Sequence, residues 1–330
     1  MGEPLRVIFM GSDEIGVPLL DWLSGGAGDL ARVAAVVTGP DRPSGRGQAV
    51  RPNGIKALAT ARGLSILQPE QLDASTLAAL AAVRPDVVLV MAFGHILREG
   101  FIALPRIGTL NLHASLLPRY RGASPVQAAV ASGDRETGLT LMRIVRELDA
   151  GPIGGCERVA ISPLDTAGDV ERRLAAAAVP LLARSLPLAA RGELAFRDQE
   201  GARASYCRRL EKSDGVLDFS AGADALAARV NGLHPWPSVW VAVDGTPIKL
   251  GLADAVDGGH ASPPGAVVGS DAHGLLVATG SRTLRLRRLQ RPGGRMLDAP
   301  EFLRGFPVRA GALLPSLPMP ALVSDRPFRR

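Results

Sequence analysis

Three six-residue apolar runs constrain this chain most. They are Leu5 to Met10 (L-R-V-I-F-M), Val33 to Thr38 and Asp86 to Met91 (D-V-V-L-V-M). Runs this apolar fit strands covered on both faces, the condition of strands inside a parallel sheet. The first gives way to Gly11-Ser12-Asp13 and then to a helical pattern through Val17, Leu20 and Leu23. Ile55 to Arg62 and Ala74 to Val83 also read as helices. Strands alternating with helices over about 190 residues predict an α/β domain with a mostly parallel sheet. A single glycine after the first strand is not G-x-G-x-x-G, so it assigns no dinucleotide site.

A chain of 330 residues fits two domains. Ala167 to Ala190 reads as a long helix containing Pro180, and the texture changes near residue 192. Residues 193–209 are polar and aperiodic and read as a linker. His234-Pro235-Trp236-Pro237 is a rigid corner. Short β-runs follow at Val239–Val243, Thr246–Leu250, Ala266–Val268, Leu275–Ala278 and Leu284–Leu289. Five short strands with Gly-rich turns predict a small β-barrel. The expected divisions are 1–192, the linker 193–209, a second domain over 210–314, and a disordered Pro-rich tail over 315–330.

Charge separates the two parts. Residues 1–200 carry 21 Lys and Arg against 21 Asp and Glu; residues 201–330 carry 17 against 11, so the whole net charge of +6 lies there. A basic module beside a neutral one fits a polyanionic partner. A genome that writes Arg for Lys explains it equally, since only Lys56, Lys212 and Lys249 are lysines. Arg42, Arg46 and Arg51 lie in a long Gly/Pro-rich loop, placed to reach phosphates or simply solvated. No apolar run or N-terminal pattern suggests a membrane span or signal peptide. Cys156 and Cys207 have no metal-like spacing, and no metal site is read. The expected setting is cytoplasmic, without disulfides.

The stretch G-T-L-N-L-H-A-S-L-L-P-R-Y-R-G-A (108–123) carries the chemistry. Its alternation makes a strand with Asn111 and His113 on one face, roughly 7 Å apart. An amide donor beside an imidazole suits a reaction that develops an oxyanion and moves a proton. Each residue taken alone has an ordinary structural explanation: a strand-end hydrogen bond for Asn111 and a satisfied core position for His113. Asp149, in L-D-A-G-P-I (148–153), can simply start a turn.

Asn111-Leu112-His113-Ala114-Ser115-Leu116-Leu117-Pro118, then Arg121-Gly122 and Leu148-Asp149-Ala150-Gly151, resembles the signature of folate-dependent formyltransferases. Further segments resemble members that act on methionyl initiator tRNA. They are P-D-R-P-S-G-R-G (40–47), G-A-S-P-V-Q (122–127), L-E-K-S-D-G-V-L-D-F-S (210–220) and E-F-L-R-G (301–305). The opening Phe9-Met10-Gly11-Ser12-Asp13 departs from the family's usual F-A-G-T-P.

The resemblance implies a Rossmann-like formyltransferase domain with a mostly parallel sheet, followed by a small OB-like β-barrel domain. It implies 10-formyltetrahydrofolate as co-substrate, initiator Met-tRNA as acceptor, and a monomer. Asn111, His113 and Asp149 become the expected catalytic residues. Ser115, Leu116, Leu117 and Pro118, with Met91, Phe93, Gly94 and Ile96, become the expected folate contacts. Arg42, Arg46, Arg285, Arg287 and Arg288 are the candidate tRNA contacts. A formyltransferase for an amino sugar nucleotide and a formyltetrahydrofolate hydrolase would share the same core, as would an RNA-binding protein with a decayed enzyme domain. The basic second half favours the tRNA substrate, and the intact Asn-His-Asp set argues against decay.

Overall fold

A computed structural model describes residues 3–44, 49–258 and 261–328. Its largest sheet has seven strands in the spatial order Ile153–Ala160, Glu136–Arg143, Gly108–His113, Val87–Val90, Leu5–Met10, Ala31–Val37, Ile66–Leu67. The five strands from Gly108–His113 to Ile66–Leu67 pair in parallel, and Glu136–Arg143 joins antiparallel to Gly108–His113. This is the Rossmann-like sheet expected from the double-covered apolar runs: Val7 to Met10 and Val87 to Leu89 are buried without exception. Strand order reverses between Leu5–Met10 and Val87–Val90. Open α/β sheets bind ligands beyond the strand C-termini at such a reversal.

The helix Ala167–Ala190 runs for 24 residues through Pro180 and Pro187. Length and composition alone would let it cross a membrane. Its buried residues Ala167, Val170, Leu174, Ala178, Leu181 and Leu182 instead recur at three- and four-residue spacing, the stripe of a helix against a protein core.

Contacts divide the chain into two units, and the division is not a single cut near residue 192. The first comprises 1–121, 138–159 and 171–204; the second comprises 122–137, 160–170 and 205–330. In the second unit, the helix Ala223–Gly232 packs on Pro125–Ala131. Gly232 permits that approach, because any Cβ there would strike the backbone of Ala131. A curled antiparallel sheet follows, in the order Val239–Val243, Thr246–Val256, Thr283–Gln290, Leu275–Ala278, Val267–Ser270. It agrees with the OB-like expectation. The register between its two longest strands shifts on either side of Leu252, and such bulges bend a strand. Phe219, Leu226, Val230, Leu250 and Leu286 fill the core beneath it.

Two expectations need correction. Residues 315–328 of the Pro-rich tail are packed, not disordered: Val323–Ser324 pairs antiparallel with Tyr206–Cys207, and Leu322 is buried in the second core. The interval 193–209 is not a free linker either. Arg197 exchanges backbone hydrogen bonds with Ile153 at 2.9 and 2.7 Å, and Tyr206–Cys207 is a strand. Short stretches with one or two apolar side chains carry no readable period, yet find a sheet edge.

Asp214 anchors the second unit. It is fully buried. Its carboxylate accepts from the Arg208 guanidinium at 3.0 and 2.5 Å and from the Glu211 N–H at 2.7 Å. Asp214→Ala is expected to cost about 3–5 kcal/mol, because it strands the hydrogen-bonding groups turned toward a buried charge. The measurement is the urea midpoint; a loss below about 1 kcal/mol, the range of an exposed pair, would contradict this role.

Candidate active site

The Gly108–His113 strand places Asn111 and His113 where period 2 predicted. The Asn111 side chain is half-buried and, among the described residues, holds no intramolecular hydrogen bond. Its amide is therefore available to a ligand. His113 is 6% exposed, and its two ring nitrogens have different neighbours. Nε2 lies 2.8 Å from the carbonyl of Tyr120. A carbonyl only accepts, so Nε2 carries a proton and donates. Nδ1 faces the Asp149 carboxylate at 3.7 Å. That separation exceeds direct hydrogen-bond reach, and catalytic contacts of this kind commonly tighten when substrate binds.

Both loops that hold the imidazole are backbone-constrained. Tyr120 has φ +60° and Asp149 φ +48°, a region that non-glycine residues rarely occupy and that clusters at functional sites. The 114–120 loop is braced internally. Thr140 Oγ1 donates to the Ser115 carbonyl at 2.7 Å and accepts from the Leu117 N–H at 3.1 Å. Ser115 Oγ donates to the Arg119 carbonyl at 2.6 Å. Ser115 and Leu117 are buried, whereas Leu116 and Pro118 are partly open.

The 91–97 loop leaves the Val87–Val90 strand at the sheet's order reversal. Ser12 ties it down: its N–H donates to the Ala92 carbonyl at 3.1 Å and its Oγ to the Phe93 carbonyl at 3.4 Å. Met91 and Phe93 are buried, and Phe93 belongs to the core with Ile8, Val88 and Phe101. Gly94 has φ +79°. Ile96 is 65% exposed and Leu148, beside Asp149, 55%. Of the four residues expected in this loop, Ile96 presents an open apolar side chain, while Met91 and Phe93 offer only their backbone.

The arginines separate into held and open groups. Arg42 is exposed in a two-stranded hairpin with Ala49–Arg51. Arg46 lies outside the described residues. Arg285 is clamped between Asp254 at 2.5 Å and Asp271 at 3.0 Å, its side chain 15% exposed. Hydrogen bonding to Asp254 raises its pKa further. Arg287 also reaches Asp254, at 3.2 Å. Arg288 is 44% exposed, with Asp298 3.6 Å away. Sequence reasoning missed a neighbouring pair: exposed Trp240 lies opposite Lys249 across two strands, with the ammonium 5.9 Å from the ring centroid. Burial lowers the Lys249 pKa. A Trp and a Lys at one register of a polar face was the readable signal.

With this geometry in view, the family follows from comparison. Residues 5–186 match the family described as formyl transferase, and residues 209–307 its C-terminal domain. The chain belongs to the formyl transferase family. It is 41% identical over 309 residues to a protein of Aromatoleum aromaticum named methionyl-tRNA formyltransferase, covering 93% of this chain and 96% of that one. A protein of the same name from Methylococcus capsulatus is 38% identical over 300 residues, covering 91% and 96%. A solved N-formyltransferase from Helicobacter canadensis, bound to folinic acid and dTDP-3-aminofucose, shares the fold with TM-score 0.64 at 14% identity, covering 86% of this chain and 98% of that one.

Proposed function

We propose that this chain transfers the formyl group of 10-formyltetrahydrofolate to the α-amine of methionine esterified to initiator tRNA. The observation that carries the reading is the Asn111–His113–Asp149 constellation at a strand end, within a chain that matches relatives of that name over nearly their whole length. In this reading the first unit holds the chemistry and the second contributes to holding the tRNA. The protein works as a cytoplasmic monomer.

The amine nitrogen bonds to the formyl carbon, and the bond from that carbon to the folate nitrogen breaks. The amine loses a proton and the folate nitrogen gains one. Asn111 donates its free amide N–H to the oxygen that becomes negative in the tetrahedral intermediate. His113 works through Nδ1, because Nε2–H is committed to Tyr120. As an imidazolium it donates from Nδ1 to the same oxygen or to the leaving nitrogen. Asp149 orients the ring and accepts the amine's proton, directly or through water. The 91–96 and 115–118 loops would hold the folate, with Ile96 offering an open apolar side chain and backbone groups meeting its polar edge.

For the tRNA, Arg42, Arg46 and Arg288 are the phosphate contacts, with Arg287 and Arg285 contributing less because aspartates already neutralise them. Arg288→Ala is expected to lower the slope of log affinity against log salt by about one. Arg285→Ala is expected to destabilise the second unit by about 1–3 kcal/mol and to change tRNA affinity less. Filter binding across a salt series and urea unfolding distinguish the two; equal effects on affinity would contradict this division.

The test of function offers radiolabelled 10-formyltetrahydrofolate with initiator Met-tRNA, a dTDP-amino sugar, or water as acceptor. Label in formyl-Met-tRNA is expected. Turnover of the sugar or hydrolysis to formate, with no labelled tRNA, would overturn the reading.

A further inference from the structure

The segment expected to be a linker carries a side chain that touches both sides of the site. Gln199 Nε2 donates to the Asp149 carbonyl and to the Gly151 carbonyl, each at 2.8 Å. Its Oε1 accepts from Arg121 Nε at 3.1 Å and Nη2 at 2.7 Å. One amide thus uses both N–H donors and receives a two-pronged guanidinium on its oxygen. Arg121 is buried and follows Tyr120 directly, whose carbonyl holds His113 Nε2.

The contacts close a ring about the imidazole. They pass from His113 to Tyr120, through Arg121 to Gln199, across to Asp149, and back to His113 Nδ1. The ring includes both left-handed residues, Tyr120 and Asp149. Such a backbone persists only where its surroundings over-determine it, and two hydrogen bonds to the carbonyls of residues 149 and 151 are a means of doing so. Gln199 is itself well fixed. Arg197 pairs with Ile153, and the Phe196 ring lies 4.3 Å beneath the Arg143 guanidinium.

We infer that Gln199 is a positioning residue: it locks the Asp149 turn to the Tyr120–Arg121 turn and so sets the Asp149 carboxylate against His113. It touches no substrate. The inference rests on the catalytic roles proposed above for His113 and Asp149. A negative side chain would repel the two carbonyls, and an apolar one would leave them unserved, so the turn would shift. Displacements near 1 Å at a reacting centre cost about 10²-fold in rate.

The experiment compares Gln199→Met, Gln199→Glu, Asp149→Asn and the double variant Gln199→Met/Asp149→Asn, in the full chain, by single-turnover and steady-state kinetics. Both Gln199 variants are expected to lower kcat by about 10²-fold with KM for folate and for Met-tRNA within about threefold. The double variant is expected to be no slower than Asp149→Asn, because residue 199 acts through residue 149. Near-normal kcat in both Gln199 variants, while Asp149→Asn is impaired, would overturn the role of Gln199 alone. So would losses that add fully in the double variant, or a fall confined to KM. Normal kcat in Asp149→Asn would overturn the catalytic assignment of Asp149 and the positioning role with it. Gln199→Met is near-isosteric and uncharged, so it tests the inference even if Gln199→Glu fails to fold.

Discussion

Replacing His113 with alanine is expected to lower kcat by about 10²- to 10⁴-fold, the usual loss when a positioned proton-transfer group is removed. The Kd for Met-tRNA is expected to stay within about twofold, since the effect falls on the transition state and not on ground-state binding. The reason lies in the two faces of the ring. Nε2–H is fixed on the Tyr120 carbonyl at 2.8 Å, so the ring cannot turn without losing a buried hydrogen bond. Nδ1 is thereby held toward Asp149, the side from which the proposed mechanism has it act. Alanine removes the proposed proton donor and the hydrogen bond from Nε2 to the Tyr120 carbonyl. Rapid-quench measurement of formyl-Met-tRNA, with tRNA affinity measured separately, separates chemistry from binding. Near-normal turnover would remove His113 from the mechanism.

Gly151→Ala is expected to be nearly as damaging without altering any reacting group. A Cβ at residue 151 would overlap the backbone oxygen of Arg143 and press on Val145. Arg143 cannot give way: its N–H donates to the Pro152 carbonyl at 3.0 Å, and the strand it ends is paired to Gly108–His113. The loop must move instead, and Asp149 is two residues upstream. A fall in kcat of about 10²-fold is expected from the displaced carboxylate, with about 1–3 kcal/mol of lost stability from the overlap. Steady-state kinetics together with urea unfolding check both. A variant as active and as stable as the parent would show that the loop tolerates the shift and that the glycine does not set Asp149.

These two expectations differ in how much of their basis could be read from the residues. Period 2 alone put Asn111 and His113 on one face, and double-covered apolar runs alone gave the parallel sheet. Asp149 was not legible that way: 36 residues separate it from His113 in the chain, and only resemblance to a family joined them. The Tyr120 carbonyl was less legible still, because a backbone acceptor has no residue-type signature. Gln199 lies in a polar, aperiodic stretch, which reads as a linker until its hydrogen bonds are seen. Arg285 and Arg288 show the opposite failure. Both are arginines on one basic strand, yet Asp254 and Asp271 hold the first closely while the second is 44% exposed with Asp298 at a looser 3.6 Å, and pairing across strands is not written in local sequence. The tail was misjudged for a related reason. Its prolines suggested disorder, but Leu322 finds a place in the second core.

The most direct test of direct formyl transfer mixes the protein first with radiolabelled 10-formyltetrahydrofolate alone and then with initiator Met-tRNA. The expected result is no label on the protein before tRNA is added and a single phase of formyl-Met-tRNA formation afterwards. Label on the protein in the first step, or no formyl-Met-tRNA in the second, would contradict direct attack of the amine at a site built from Asn111, His113 and Asp149.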